Sequence, residues 1–158
     1  MTKKITTYGI FTALCIVIGY IEHFIPTDMI APGIKLGLSN TVALLLIFNK
    51  DYKGALLVNV SRILITCLLF SSPSTIIYSL SGGIISFAVT AVFFKLNLFG
   101  IIGVSICSAL SHNVTQILIA SFMVGKGVWY YLPILIISAV VAGIATGTLV
   151  KIINKKIK

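Results

Sequence analysis

Apolar residues run through the chain in six stretches, at about residues 5–25, 36–48, 54–70, 75–94, 99–123 and 129–150, with polar residues gathered at the joints. A helix needs ~20 apolar residues to cross the ~30 Å hydrocarbon core of a bilayer, and five of the stretches reach or approach that length. The pattern predicts an all-α integral membrane protein, a bundle of six transmembrane helices forming one membrane domain over residues 1–158. The short member, 36–48, makes only ~20 Å of helix. Either it begins earlier in the preceding connection, or its far end is sheltered inside the protein. Ser39 and Asn40, at that end, favour shelter.

Polar residues inside the stretches single out two places. In the fifth, Ser105, Ser108, His112, Thr115 and Gln116 fall within one 100° arc of a helix, while Leu110, Val114 and Leu118 take the other side. Hydroxyls alone often tie membrane helices together, which is the reading for Ser105 and Ser108. His112, Asn113 and Gln116, three strongly polar side chains in five residues, exceed what packing requires and point to a ligand or to water. In the third stretch Arg62 lies near the middle, with Asn59 and Thr66 on its face. A mid-membrane Arg costs ~2.5 kcal/mol or more, so it must face the interior. Glu22 lies far nearer the other end of its span, and no acidic residue is predicted at Arg62's depth. Arg62 is therefore expected to be held by carbonyls or by polar groups such as Asn59 and Gln116, leaving positive potential for an anionic ligand.

Small residues mark packing faces: Gly9 and Ala13, Cys15 and Gly19, then Ser79, Gly82, Gly83, Ser86 and Thr90, and finally Ala139, Gly143 and Gly147. Backbone contact with a ligand at Gly82-Gly83 is the alternative for the fourth stretch. Glu22 shares the Cys15–Gly19 face and is expected to point inward, whereas His23 beside it reads equally as an interfacial residue. Pro26 to Gly37, with two Pro and two Gly, cannot form one regular helix. A connection of that length suits a lid over the outer mouth of the bundle, with an ordinary loop as the alternative. Trp129, Tyr130 and Tyr131 make an aromatic interfacial belt.

Composition strengthens the membrane reading: 58% of residues are hydrophobic, 9% are charged and mean hydropathy is +1.13. A soluble domain carries about 25% charged residues. The net charge of +9 reflects orientation rather than nucleic acid, for which no motif appears. Lys3, Lys4, Lys50, Lys53, Lys95, Lys151, Lys155, Lys156 and Lys158 fall at one set of span ends, against Lys35 and Lys126 at the other. Lys and Arg collect on the cytoplasmic side, so both termini are expected there. The basic start is too long in its apolar run, and lacks a cleavage site, to be a signal peptide. Cys15, Cys67 and Cys107 each lie in an apolar span and read as buried small hydrophobes.

Chemistry that would make the chain an enzyme is missing from the sequence. The acidic residues are Glu22, Asp28 and Asp51, none a helical turn from another, so a DDxxD-type magnesium–diphosphate site is excluded. There is no Walker A loop, HExxH or GxSxG, and no cofactor motif.

Pro32-Gly-Ile-Lys-Leu-Gly-Leu-Ser-Asn40, after Glu22-His-Phe-Ile-Pro26, and Gly103…Ser111-His-Asn-Val-Thr-Gln116 resemble the small bacterial membrane proteins labelled Gx transporter family, also labelled heptaprenyl diphosphate synthase component I. The likeness covers essentially the whole chain, with Thr115 where Gly is expected. That family is similar in turn to the substrate-binding S components of energy-coupling-factor transporters, six-helix proteins of the bacterial plasma membrane. In those the loop between helices one and two caps a pocket open to the outside, and small residues on helix one, here Gly9 and Ala13, contact a coupling subunit. The resemblance thus implies uptake of a small anionic or amphipathic molecule with a coupling membrane subunit and cytoplasmic ATPases as partners. Glu22 and Lys35 at the mouth, Asn40, Asn59, Arg62, His112, Asn113 and Gln116 are the expected substrate-binding residues. The synthase label implies the alternative, an accessory membrane subunit of isoprenoid or quinone synthesis, or of a flavin- or quinone-linked electron-transfer system.

Overall fold

The computed structural model describes residues 2–24, 37–70 and 73–157, and every regular element among them is helical. α1 is Thr2–His23, and a 3₁₀ turn, Leu38–Asn40, leads into α2, Thr41–Phe48. α3 is Tyr52–Phe70, α4 is Pro73–Leu96 and α5 is Ile101–Met123. A second 3₁₀ segment, Lys126–Tyr131, opens into α6, Leu132–Ile157. Among these residues, five helical segments are long and apolar enough to cross a bilayer. The segment Leu38–Phe48 is not. The proposed lid, with Lys35 and Asp28, lies outside the described residues.

Helix bounds differ from the hydropathic stretches mainly at the basic end. α4 runs on to Leu96, and α6 continues through Lys151 to Ile157. Lysine stems can lie along apolar surface while the ammonium stays wet, so helical structure outlasts the apolar pattern.

α5 forms the spine, with its most extensive contacts to α6 on one side and α4 on the other. The small-residue faces make this possible. A Cβ on Gly143 would stand 2.6 Å from the Ile106 backbone, and one on Gly147 2.8 Å from that of Ile102. α3 packs on α4, and α1 packs on α3 and the first 3₁₀ turn. On α1 the Cys15–Gly19 face is used, with Cys15 buried and Gly19 facing Ser39. The Gly9–Ala13 face is exposed, and a Cβ on Gly9 would meet nothing within 4 Å.

α2 sits inside the assembly, touching α3, α4 and α6. Ala43, Leu44, Leu46 and Ile47 are buried, so its apolar residues face protein on several sides. The second explanation for its shortness holds. Its far end is sheltered, and Ser39 there is buried. A helix start inside a protein exposes N–H groups that need acceptors. The Glu22 carboxylate meets one of them, Oε1 accepting from the Leu38 N–H at 2.6 Å. Gly37, at φ +70°, makes the left-handed turn that brings the chain in.

At the basic end Asp51 caps α3. Its Oδ1 accepts the Gly54 N–H at 3.0 Å, and its Oδ2 accepts the Tyr8 hydroxyl of α1 at 2.6 Å. These bonds, the Tyr8 hydroxyl foremost, hold the Asp51 carboxyl below its ordinary range, with the Lys4 charge adding to the effect.

Candidate functional site

Between the first 3₁₀ turn and helices α3, α4, α5 and α6 lies a cavity of about 80 Å³. Its cation is Arg62. Nη1 donates to Ser39 Oγ at 2.6 Å, Nη2 to Asn59 Oδ1 at 3.0 Å and also to Asn40 Oδ1, and Nε to Asn59 Oδ1 at 3.3 Å. All three acceptor residues are neutral. Four bonds against the five N–H donors of a guanidinium leave one donor with no acceptor among the described residues. The buried end of α2 therefore supplies hydrogen bonds to Arg62 without neutralising it.

Asn59 is oriented by α4. Its Nδ2 donates to the Gly83 carbonyl at 3.0 Å, which turns Oδ1 towards Arg62. Glycine lets α4 come close enough on both sides. A Cβ at Gly82 would stand 3.0 Å from His112 Nδ1 and 3.2 Å from Gln116 Cγ, while one at Gly83 would run into Ile63 and Asn59. The small-residue stripe of α4 is thus a packing groove that presses the polar turn of α5 and the Arg62 support into one place. Asn113 secures the other flank, its Nδ2 donating to the Leu135 carbonyl of α6 at 2.9 Å.

Of the residues expected to bind substrate, Asn40, Arg62, His112, Asn113 and Gln116 all line this cavity. Asn59 stands behind Arg62, and Glu22 fixes the turn carrying Ser39 and Asn40 while its charge attracts the guanidinium. One expectation is corrected. Gln116 makes no hydrogen bond to Arg62 and packs instead against Gly82, because the 3₁₀ turn has taken the guanidinium. Thr115 bonds back to the Ser111 carbonyl at 2.7 Å on its own helix, while Ser105 and Ser108 are buried against neighbours. Sequence reasoning missed Ser39 as the partner of Arg62, and Ser79 and Cys67 as cavity walls. Ser39 was signalled by its place at the start of a span too short to cross. Nothing in the pattern marked Cys67 out from the other apolar positions.

Residues 11–153 match the family model described as heptaprenyl diphosphate synthase component I. The chain belongs to that family. Neither curated proteins nor solved structures gave a match. The heptaprenyl diphosphate synthase component I name designates one component of a larger system, and the five long apolar helical segments suit a multi-pass membrane component.

Proposed function

We propose that the chain captures a small anionic or amphipathic molecule for uptake across the bacterial plasma membrane. In this reading it is a six-span bundle with both termini cytoplasmic. One observation carries the proposal: Arg62 lines a cavity among the helices, and its hydrogen-bond partners are the neutral Ser39, Asn40 and Asn59. A buried guanidinium is expensive to maintain. Its direct hydrogen-bond partners are neutral and the Glu22 carboxylate acts on it only from beyond hydrogen-bond reach, so an anionic ligand beside Arg62 would balance the charge at contact distance. His112, Asn113 and Gln116 offer further polar contacts, and Glu22 and Lys35 remain part of the proposed substrate-binding set, Lys35 lying outside the described residues. The chain holds no nucleotide motif, so uptake needs cytoplasmic ATPases and a coupling membrane subunit, and the exposed Gly9–Ala13 face of α1 is the docking site for the latter.

The family name favours a second reading, an accessory membrane subunit of isoprenoid or quinone synthesis or of a related redox system. Purified protein in nanodiscs, titrated with vitamins, quinone precursors, prenyl diphosphates and simple anions, separates the two. Saturable binding of a small anion, lost on Arg62→Gln, supports capture. Binding of prenyl diphosphates alone, unaffected by Arg62→Gln, removes the capture reading.

A further inference from the structure

At the end opposite the lysine-rich side, a second and larger hollow of about 450 Å³ lies among α4, α5, the Lys126–Tyr131 segment and the start of α6. Its walls are largely apolar, with Ile117, Ala120, Val124, Val128 and Leu135 facing Tyr78. It shares two wall residues, Ser79 and Gln116, with the Arg62 cavity, so the two spaces adjoin at these polar side chains. Each space implies a different chemistry. The inner one has room for a few waters or one compact group beside a guanidinium. The outer one has the volume and lining of a site for an apolar body.

We infer that the two hollows form one two-part site, whose ligand is an amphipathic anion lying with its head beside Arg62 and its apolar tail along the α4–α5–α6 hollow. This rests on the capture reading above and narrows its substrate class. The small inner volume selects a single carboxylate or phosphate monoester as the head. Larger polyanions do not fit beside Arg62. An apolar tail in the outer hollow exchanges water for Ile117, Val124 and Val128, so affinity rises with tail length until the hollow is filled. Each methylene buried contributes roughly three- to fourfold. An apolar hollow in a bilayer can also take up a lipid acyl chain or an apolar stretch of protein. Neither makes anion affinity depend on the ligand's own tail.

The test uses the full chain in nanodiscs of zwitterionic lipid, titrated with acetate and inorganic phosphate and with n-butyl, n-hexyl and n-octyl carboxylates and phosphates. Wild type is compared with Arg62→Gln, Ala120→Trp and Val128→Trp, each checked for a monodisperse folded species. Two tryptophan variants are used so that one surviving the fold check is enough. The expected result is affinity that climbs with tail length in wild type. In a folded tryptophan variant that gain falls at least tenfold for the octyl compounds while acetate and phosphate bind unchanged. Arg62→Gln weakens every member. Anion binding that is lost in Arg62→Gln but indifferent to tail length overturns the two-part site and leaves capture standing. A tail-length gain equal in wild type and a folded tryptophan variant reflects partition into lipid and likewise overturns it. Absence of anion binding in wild type overturns both readings.

Discussion

Arg62 owes its place to side chains from two elements: Ser39 and Asn40 at the head of α2, and Asn59 one turn below it on its own helix. Replacing it by Gln keeps a donor for those oxygens while removing the charge. Arg62→Gln is therefore expected to fold and to weaken anion binding by about ten- to a hundredfold, the loss of a charged hydrogen bond worth ~1.5–3 kcal/mol. Calorimetric titration beside membrane yield checks both halves. A misfolded Arg62→Gln with an intact conservative Arg62→Lys would assign Arg62 to structure alone. Asp51 makes a different statement at the basic end. Its carboxyl is held low by the Tyr8 hydroxyl, the Gly54 N–H and the Lys4 charge. A depressed folded value means the carboxylate's stabilising contribution is complete above the ordinary range near ~3.9 and drains away as pH falls through the lower folded value. Unfolding midpoints should decline on acidification through that window in wild type and less so in Asp51→Asn. Asp51→Ala should cost about 1 kcal/mol as a lost helix cap.

Elements divide into those the sequence made legible and one it did not. The long apolar stretches became helices because twenty apolar residues leave the backbone no other way to satisfy its N–H and C=O groups in hydrocarbon. The polar arc of α5 was legible for the same reason, since His112, Asn113 and Gln116 have no place facing lipid. Of Arg62's partners, Asn59 was legible because it lies on the same helix face, whereas Ser39 and Asn40 were not. Helical periodicity ranks residues on one helix, whereas the choice between Gln116 and Ser39 depends on how deeply α2 enters. That depth is set by Gly37, Glu22 and the packing of α2 on three other helices. The small-residue faces also split in use. A side chain at Gly143 would strike the Ile106 backbone, so Gly143→Val should cost ~1–3 kcal/mol by overpacking and lower folded yield. Gly9→Leu meets open space and should fold normally. Size-exclusion profiles of both variants test the contrast. With a coupling subunit present, Gly9→Leu should also reduce co-purification.

At the scale of the whole molecule, the lysines make orientation a testable property. Cysteines placed at Asn154 and Gly127 in a background lacking the native three should react with an impermeant maleimide in opposite ways on intact cells. Gly127→Cys is expected to label from outside, and Asn154→Cys only after permeabilisation. Labelling of Asn154→Cys in intact cells would reverse the bundle, and the uptake proposal with it. The packing is uneven as well. α4, α5 and α6 form a tightly joined slab, and α1 is attached through α3 and the 3₁₀ turn.

The half-length α2 bears on how the protein is made. Leu38–Phe48 falls short of the ~17–25 residues of a transmembrane helix, and α3 carries an arginine in the middle of its apolar run. Each segment is a poor candidate for entry by itself. Joined by the tight turn at Asn49–Asp51, they can enter lipid as a hairpin. Within that pair Ser39 and Asn40 travel on the same hairpin as the guanidinium, so two of the acceptors that position Arg62 in the finished protein enter the membrane with it.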